Sequence, residues 1–195
     1  MVQRVFVDAN IFVSRTIMDW LFHLRRANEG MFQLHSTNDV FAEALAATRD
    51  RNPRAPGSLL EDRMNKIREC VDEVVPTFPG NLSFTGSDEG DYHVHAAAIA
   101  SRADIILTQN KPRDITQNPD DEPYEVYSAD DFFILVVQSN PRCLVSCTKN
   151  QLAYWAPEAK GSSTISSSRL TAQHSLKRSA ERSRSWQWHR DGPVG

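Results

Sequence analysis

The apolar residues of the chain fall into two kinds of run: short unbroken ones of strand length, and longer ones spaced three and four apart. Val5, Phe6 and Val7, within residues 4–8, are consecutive and of high strand propensity, which predicts a parallel strand buried on both faces. Met31 to His35, Val74-Val75, Ile105 to Leu107 and Tyr124 to Tyr127 are further runs of strand length. Between them the spacing becomes helical. Ile17, Trp20, Leu21 and Leu24 predict one helix from Ile11 to Asn28, stopped by Asn28-Glu29-Gly30. Val40, Phe41, Ala44, Leu45 and Thr48 predict a second through about Arg51, with Ser36, Thr37 and Asn38 as alternative caps and Ser36 with Asp39 as a capping-box-like start. Leu59, Leu60, Met64, Ile67 and Val71 predict a third over residues 58–71, and Val94, Ala97, Ala98 and Ser101 a fourth, Ala-rich one suited to close packing. Ser128 caps a fifth over residues 129–138 that buries Phe132, Phe133, Leu135 and Val136. Strands alternating with helices in this way predict an α/β fold around a parallel sheet.

The sheet is complete by Gln138, which assigns residues 1–138 to one domain. Asn140-Pro141 then opens a helix to about Trp155. Its side formed by Leu144, Val145, Thr148, Leu152 and Trp155 is expected to dock on the core, with Cys143 and Cys147 as simple helix neighbours. Residues 139–195 thus read as a helical C-terminal extension. Gly161 to Ser168 has the composition of a linker, and beyond it Leu170, His174, Leu176, Ala180 and Trp186 allow either one or two short docked helices or a solvated tail.

Composition sharpens this picture in three places. A chain of 195 residues, 40% hydrophobic, suits one well-buried core plus an appendage. The net charge of −3 is uneven: from Lys160 onward seven basic residues face Glu181 and Asp191, a local +5, which leaves −8 on residues 1–159. An acidic body with a basic tail suits metal ions in the first and an anionic partner near the second. Cys70, Cys143 and Cys147 are odd in number and lack a C-x-x-C pair, which supports neither disulfides nor a zinc site and fits a reducing cytoplasm. No apolar run reaches the ~20 residues that cross a bilayer, so the expectation is a soluble, unexported protein.

The polar residues that bracket the strands carry the candidate chemistry. Asp8 and Asn10 follow the first strand, Asp91 stands where the Ala-rich helix begins, Asn110 and Asp114 lie just past the 105–107 strand, and Glu43 flanks the second helix. In open α/β sheets ligands bind at the carboxyl ends of the strands. Plainer readings stand beside each: Asp8 or Asn10 as a helix cap, Asp91 as the capping partner of Asp88, Glu43 as a solvated surface acid, His93 and His95 as packed or hydrogen-bonded histidines, and Lys111 and Arg113 as a solvated loop. Three acids together at one sheet edge suit a hard cation bound through carboxylate oxygens.

The string DANIFVSR from Asp8 and the string GDYHVHAAAIASRADIILTQNKPRD from Gly90, in that order, resemble the motifs of the PIN-domain nucleases, and within them the VapC-like toxins. The resemblance covers about residues 1–137. It implies a three-layer α/β/α domain with Asp8, Glu43 and Asp91 as catalytic acids and metal ligands, Asn10 in support, and a fourth position at Asn110 or Asp114. There the usual Asn-x-x-Asp-Phe becomes Asn110-Lys111-Pro112-Arg113-Asp114-Ile115, one residue longer and without the Phe. It further implies Mg²⁺ or Mn²⁺ as cofactor, RNA as substrate with Lys111 and Arg113 near its phosphates, and a small antitoxin partner; a homodimer stays open. The activity implied is metal-dependent endoribonuclease, a hydrolase whose metal activates water and stabilises charge on phosphorus. Of the alternatives, a phosphatase with a carboxylate nucleophile needs a helper Asp where Asn10 stands, and a glycoside hydrolase needs aromatic residues that the acids lack nearby. An inactive relative that binds RNA or a protein through the same cleft would have lost one of the acids, and all three are present.

Overall fold

The computed structural model describes residues 2–159. Five parallel strands, β1 (Gln3–Val7), β2 (Phe32–Thr37), β3 (Glu73–Val75), β4 (Ile105–Leu107) and β5 (Glu125–Tyr127), form one sheet in the order β3-β2-β1-β4-β5. Central β1 sets Val5 opposite Leu34 on one side and Val7 opposite Leu107 on the other. Val5, Phe6, Val7, Ile106 and Leu107 have no exposed surface, the burial on both faces that their unbroken apolar runs predict. Because all pairs are parallel, β1 and β4 end on the same edge, and the strand order reverses between them. A crevice opens at such a reversal, where the chains leave in opposite directions.

The helices flank this sheet in an α/β/α arrangement, as expected, with differences that have local causes. The single helix expected over residues 11–28 is two, α1 (Ala9–Val13) and α2 (Arg15–Ala27). Ser14 breaks them apart and caps α2 by accepting from Ile17 N at 3.4 Å. The Arg63 guanidinium donates to the carbonyls of Phe12 and Val13 where α1 ends. That partner lies in α4 (Gly57–Cys70), out of reach of any local pattern. In α3 (Asn38–Arg51) the cap is Thr37, one of the three alternatives, accepting from Val40 N at 3.2 Å, while Ser36 of the expected capping box is buried and donates to Val7 O. Leu45 and Leu59, expected in the core, are exposed, so the buried arcs of α3 and α4 are narrower than their apolar arcs. A 3-10 turn, Glu89–Asp91, leads into α5 (Tyr92–Ala100), whose Ala96, Ala97 and Ala98 are wholly buried. Short α6 (Pro112–Ile115) and then α7 (Ala129–Ser139), capped by Ser128 as expected, follow.

The last described helix, α8 (Cys143–Ala159), packs on α2, but by a face turned about 100° from the one expected, the neighbouring stripe along the helix. Cys143, Cys147 and Gln151 are buried at i, i+4 and i+8, whereas Leu144, Val145 and Leu152 are exposed. The two small thiols lie in the contact, and Gln151 stands near His23 across it. The side chain of Trp155, placed on the docking side by the sequence, and the Ser-rich and basic segment 160–195 lie outside the described residues. Among the described residues no helix is long and apolar enough to cross a membrane.

Candidate active site

The end of β1 delivers Asp8 and the end of β4 delivers Thr108, and the two meet. Asp8 is 3% exposed. Its Oδ1 accepts from Ala9 N at 2.6 Å, so it does cap α1. Its Oδ2 meanwhile accepts from the Thr108 hydroxyl at 2.6 Å and from Asn10 Nδ2 at 2.7 Å. Asn10 extends this link across the crevice: Nδ2 also contacts Thr108 Oγ1 and Asn110 Oδ1, and Oδ1 accepts from Gln109 N at 2.9 Å. Asn110 in turn donates from Nδ2 to both oxygens of Asp91, at 3.0 and 2.8 Å. A continuous chain of hydrogen bonds thus runs from Asp8 through Asn10 and Asn110 to Asp91.

Asp91 does not take the capping role open to it. Asp88 alone caps the turn, accepting from Gly90 N at 2.9 Å, and the Asp91 side chain makes no cap bond. Glu43 reaches the cluster from α3, with its Oε2 3.5 Å from Nε2 of His93. His93 Nδ1 lies 2.8 Å from the carbonyl of Gly90. His95 is buried as expected, held by the Tyr124 hydroxyl at 2.6 Å and Ser83 O at 3.1 Å.

Burial raises all three acids, and the charge of Asp8 acts on the other two. Burial pushes the Asp8 carboxyl up, against the hydrogen bonds from Thr108, Ala9 and Asn10. Glu43 is raised by burial first and then by the charge of Asp8, with His93 acting in the opposite direction. Asp91 is pushed up to about 6, by burial first and then by the charges of Asp8 and Asp88, with the Asn110 amide pulling it back. Raised carboxyls around one crevice mark acids gathered for use, and here Glu43 and Asp91 each resist ionising beside Asp8. A divalent cation would relieve that conflict, and the donors are the hard oxygens such a cation prefers. Among the described residues no group of three or more His, Cys, Asp and Glu side chains is already arranged to hold an ion, so the fit lies in donor chemistry and charge and not in a finished cage.

Asp114 does not join the acids. Its Oδ1 accepts from Ser87 Oγ at 2.9 Å and its Oδ2 from Lys111 N at 3.1 Å, as the capping-box partner of α6. The extra residue before it gives this loop a helical turn of its own, and of the two fourth-position candidates only Asn110 reaches Asp91. Lys111 is exposed, and so is Arg113, whose Nε stands 3.9 Å from Asp114 Oδ1. The residues of the site that sequence reasoning leaves out are Thr108, visible only as the polar end of a strand, and His93, whose place on the first turn after Asp91 is its one local sign. A cavity of about 610 Å³, lined by His23, Arg25, Lys66 and Asp72 among others, includes none of Asp8, Glu43 and Asp91.

No curated protein and no solved structure matches the chain. A family model for the PIN domain matches residues 4–112. That span takes in Asp8, Asn10, Glu43, Asp91, Thr108 and Asn110 and stops before Asp114. PIN domains are generally metal-dependent nucleases. With more than half its length matched, and every acid of the crevice inside the match, the chain belongs to the PIN domain family.

Proposed function

We propose that this protein is a divalent-metal-dependent endoribonuclease, and that it is the toxin of a toxin–antitoxin pair held in check by a small antitoxin. The observation that carries the catalytic part is the gathering of Asp8, Glu43 and Asp91 at the β1/β4 crevice with all three carboxyls raised by burial and two of them, Glu43 and Asp91, also by the charge of Asp8. These three would hold Mg²⁺ or Mn²⁺, which when bound acidifies a water and stabilises the charge that gathers on phosphorus. The remaining work falls to the chain. Asn10 and Thr108 fix the orientation of Asp8, and Asn110 fixes that of Asp91, so neither carboxylate has to be ordered when substrate arrives. Exposed Lys111 and Arg113 stand on the loop beyond Asn110, where they contact substrate phosphates as point charges without reading sequence.

The test is cleavage of single-stranded RNA by the full chain with Mg²⁺ or Mn²⁺, with chelator, and with Asp91→Asn. Chelator should abolish cleavage, and the substitution should lower it by at least about 10²–10³-fold while far-UV circular dichroism stays unchanged. Full activity of Asp91→Asn would refute the assignment. For the toxin role, expression should arrest growth, and the product of a short neighbouring reading frame should relieve the arrest.

A further inference from the structure

The acid cluster contains one nitrogen with no hydrogen-bond partner. His93 Nε2 is buried and unpaired, and it points at Glu43 Oε2 from 3.5 Å. On the other side of the ring, Nδ1 is 2.8 Å from the Gly90 carbonyl. A carbonyl only accepts, so Nδ1 carries a proton and donates it, which leaves Nε2 as the ring nitrogen turned toward Glu43. Histidines that bind metals are held in this way, with the far ring N–H given to a backbone carbonyl and the other nitrogen free to coordinate. An imidazole nitrogen and a carboxylate oxygen face each other with either a proton or a metal cation between them. A proton shared by the pair would draw them to roughly 2.7–2.9 Å. Two donors each about 2.0–2.2 Å from one ion stand roughly 3–3.5 Å apart, and the observed separation is of that length.

We propose that His93 Nε2 is a metal ligand alongside Glu43, and that it turns the site toward divalent ions of the Mn²⁺-to-Zn²⁺ series in preference to Mg²⁺. The proposal rests on the acid crevice being a metal site. Mg²⁺ takes oxygen donors and keeps its waters, whereas imidazole nitrogen favours the first-row transition ions, increasingly so along the series. His95 cannot substitute for His93, because both of its nitrogens already face Tyr124 and Ser83.

The experiment uses the untagged full chain, stripped with chelator and titrated with Mn²⁺ followed by electron paramagnetic resonance, with Mg²⁺ measured by competition. In the wild type, pulsed measurements should show nitrogen coupling to bound Mn²⁺, and the coupling should vanish in His93→Gln and His93→Asn. Mn²⁺ affinity should fall by at least about tenfold in both variants, while Mg²⁺ affinity changes by less than about twofold. Absence of nitrogen coupling in the wild type overturns the proposal, as does its persistence in the variants or an equal loss for the two ions, which would make His93 a mere support for Glu43. Should neither variant fold, labelling with ¹⁵N-histidine decides on the wild type alone: an unchanged coupling pattern refutes histidine ligation. Nitrogen-coupled Mn²⁺ without RNA cleavage would sink the nuclease assignment and leave this one standing. Cleavage with Mn²⁺ and no coupling would do the reverse.

Discussion

A carboxyl group at position 91 that ionises only near pH 6 makes the metal-free protein less stable when it is charged. The ordinary value is 3.8 and the folded value is raised to about 6, so between these limits the folded chain binds more proton than the unfolded one. Stability from this group is therefore greatest below about pH 4 and declines as pH rises through 6. Asp72 runs the other way: Arg25 and Leu34 N hold its carboxyl below the ordinary value, and its contribution is lost as pH falls. Comparison with Asp91→Asn isolates the first effect. In chelator at pH 7 the variant should be more stable than the wild type by of the order of 1–3 kcal/mol, a rise of several degrees in Tm, about 2–4 °C for each kcal/mol at this chain length. The difference should shrink toward pH 4, and Mn²⁺ should narrow it by stabilising the wild type alone. A wild type as stable as the variant at pH 7 would mean that Asp91 is not strained by its neighbours. Asp8 and Asp91 were within reach of sequence reasoning because each adjoins a strongly patterned element. His93 was not, because what distinguishes it is an unpaired nitrogen, and partners of that kind are set by Glu43 some fifty residues earlier.

Elements are where local patterns and distant contacts compete. The segment before Asp91 lies against α6: Ser87 N donates to Arg113 O at 3.0 Å, and Asp114 accepts from Ser87 Oγ. Gly86 permits that approach, since a Cβ there would stand 2.3 Å from Asp114 O and 2.8 Å from Ile115 O. Both obstacles are backbone and cannot swing away, so Gly86→Ala should cost about 1–3 kcal/mol in overpacking, measurable by urea unfolding. Unchanged stability would show that the loop has another place to lie. Of the elements, every strand and most helices were legible, because unbroken apolar runs and three-four spacing survive without knowledge of neighbours. The break at Ser14 was not, since no Gly or Pro marks it and Arg63 supplies its partner from α4. Nor was the docked face of α8: Leu144, Val145 and Leu152 are the more hydrophobic stripe, but α2 accepts the narrower one.

At the scale of the whole molecule, α8 closes the described structure by lying on α2, and its two thiols report on that contact. Cys143 and Cys147 are buried, and burial pushes Cys147 up to about 11, which leaves little thiolate at neutral pH. Neither should react with a thiol reagent until the protein unfolds, and rapid labelling of the native full chain would show that α8 leaves its seat. The strand order carries a different consequence, one of timing. Asp8 gains its Thr108 contact only when β4 slides in beside β1, one hundred residues later in the chain. At about 5–20 residues per second of synthesis, the first acid waits for its partners for seconds after it has left the ribosome. Asp91 likewise has no Asn110 to hold it until that stretch has emerged. A nascent or prematurely ended chain therefore carries the acids without the crevice, and the activity proposed for this protein stays absent beside the messenger that encodes it.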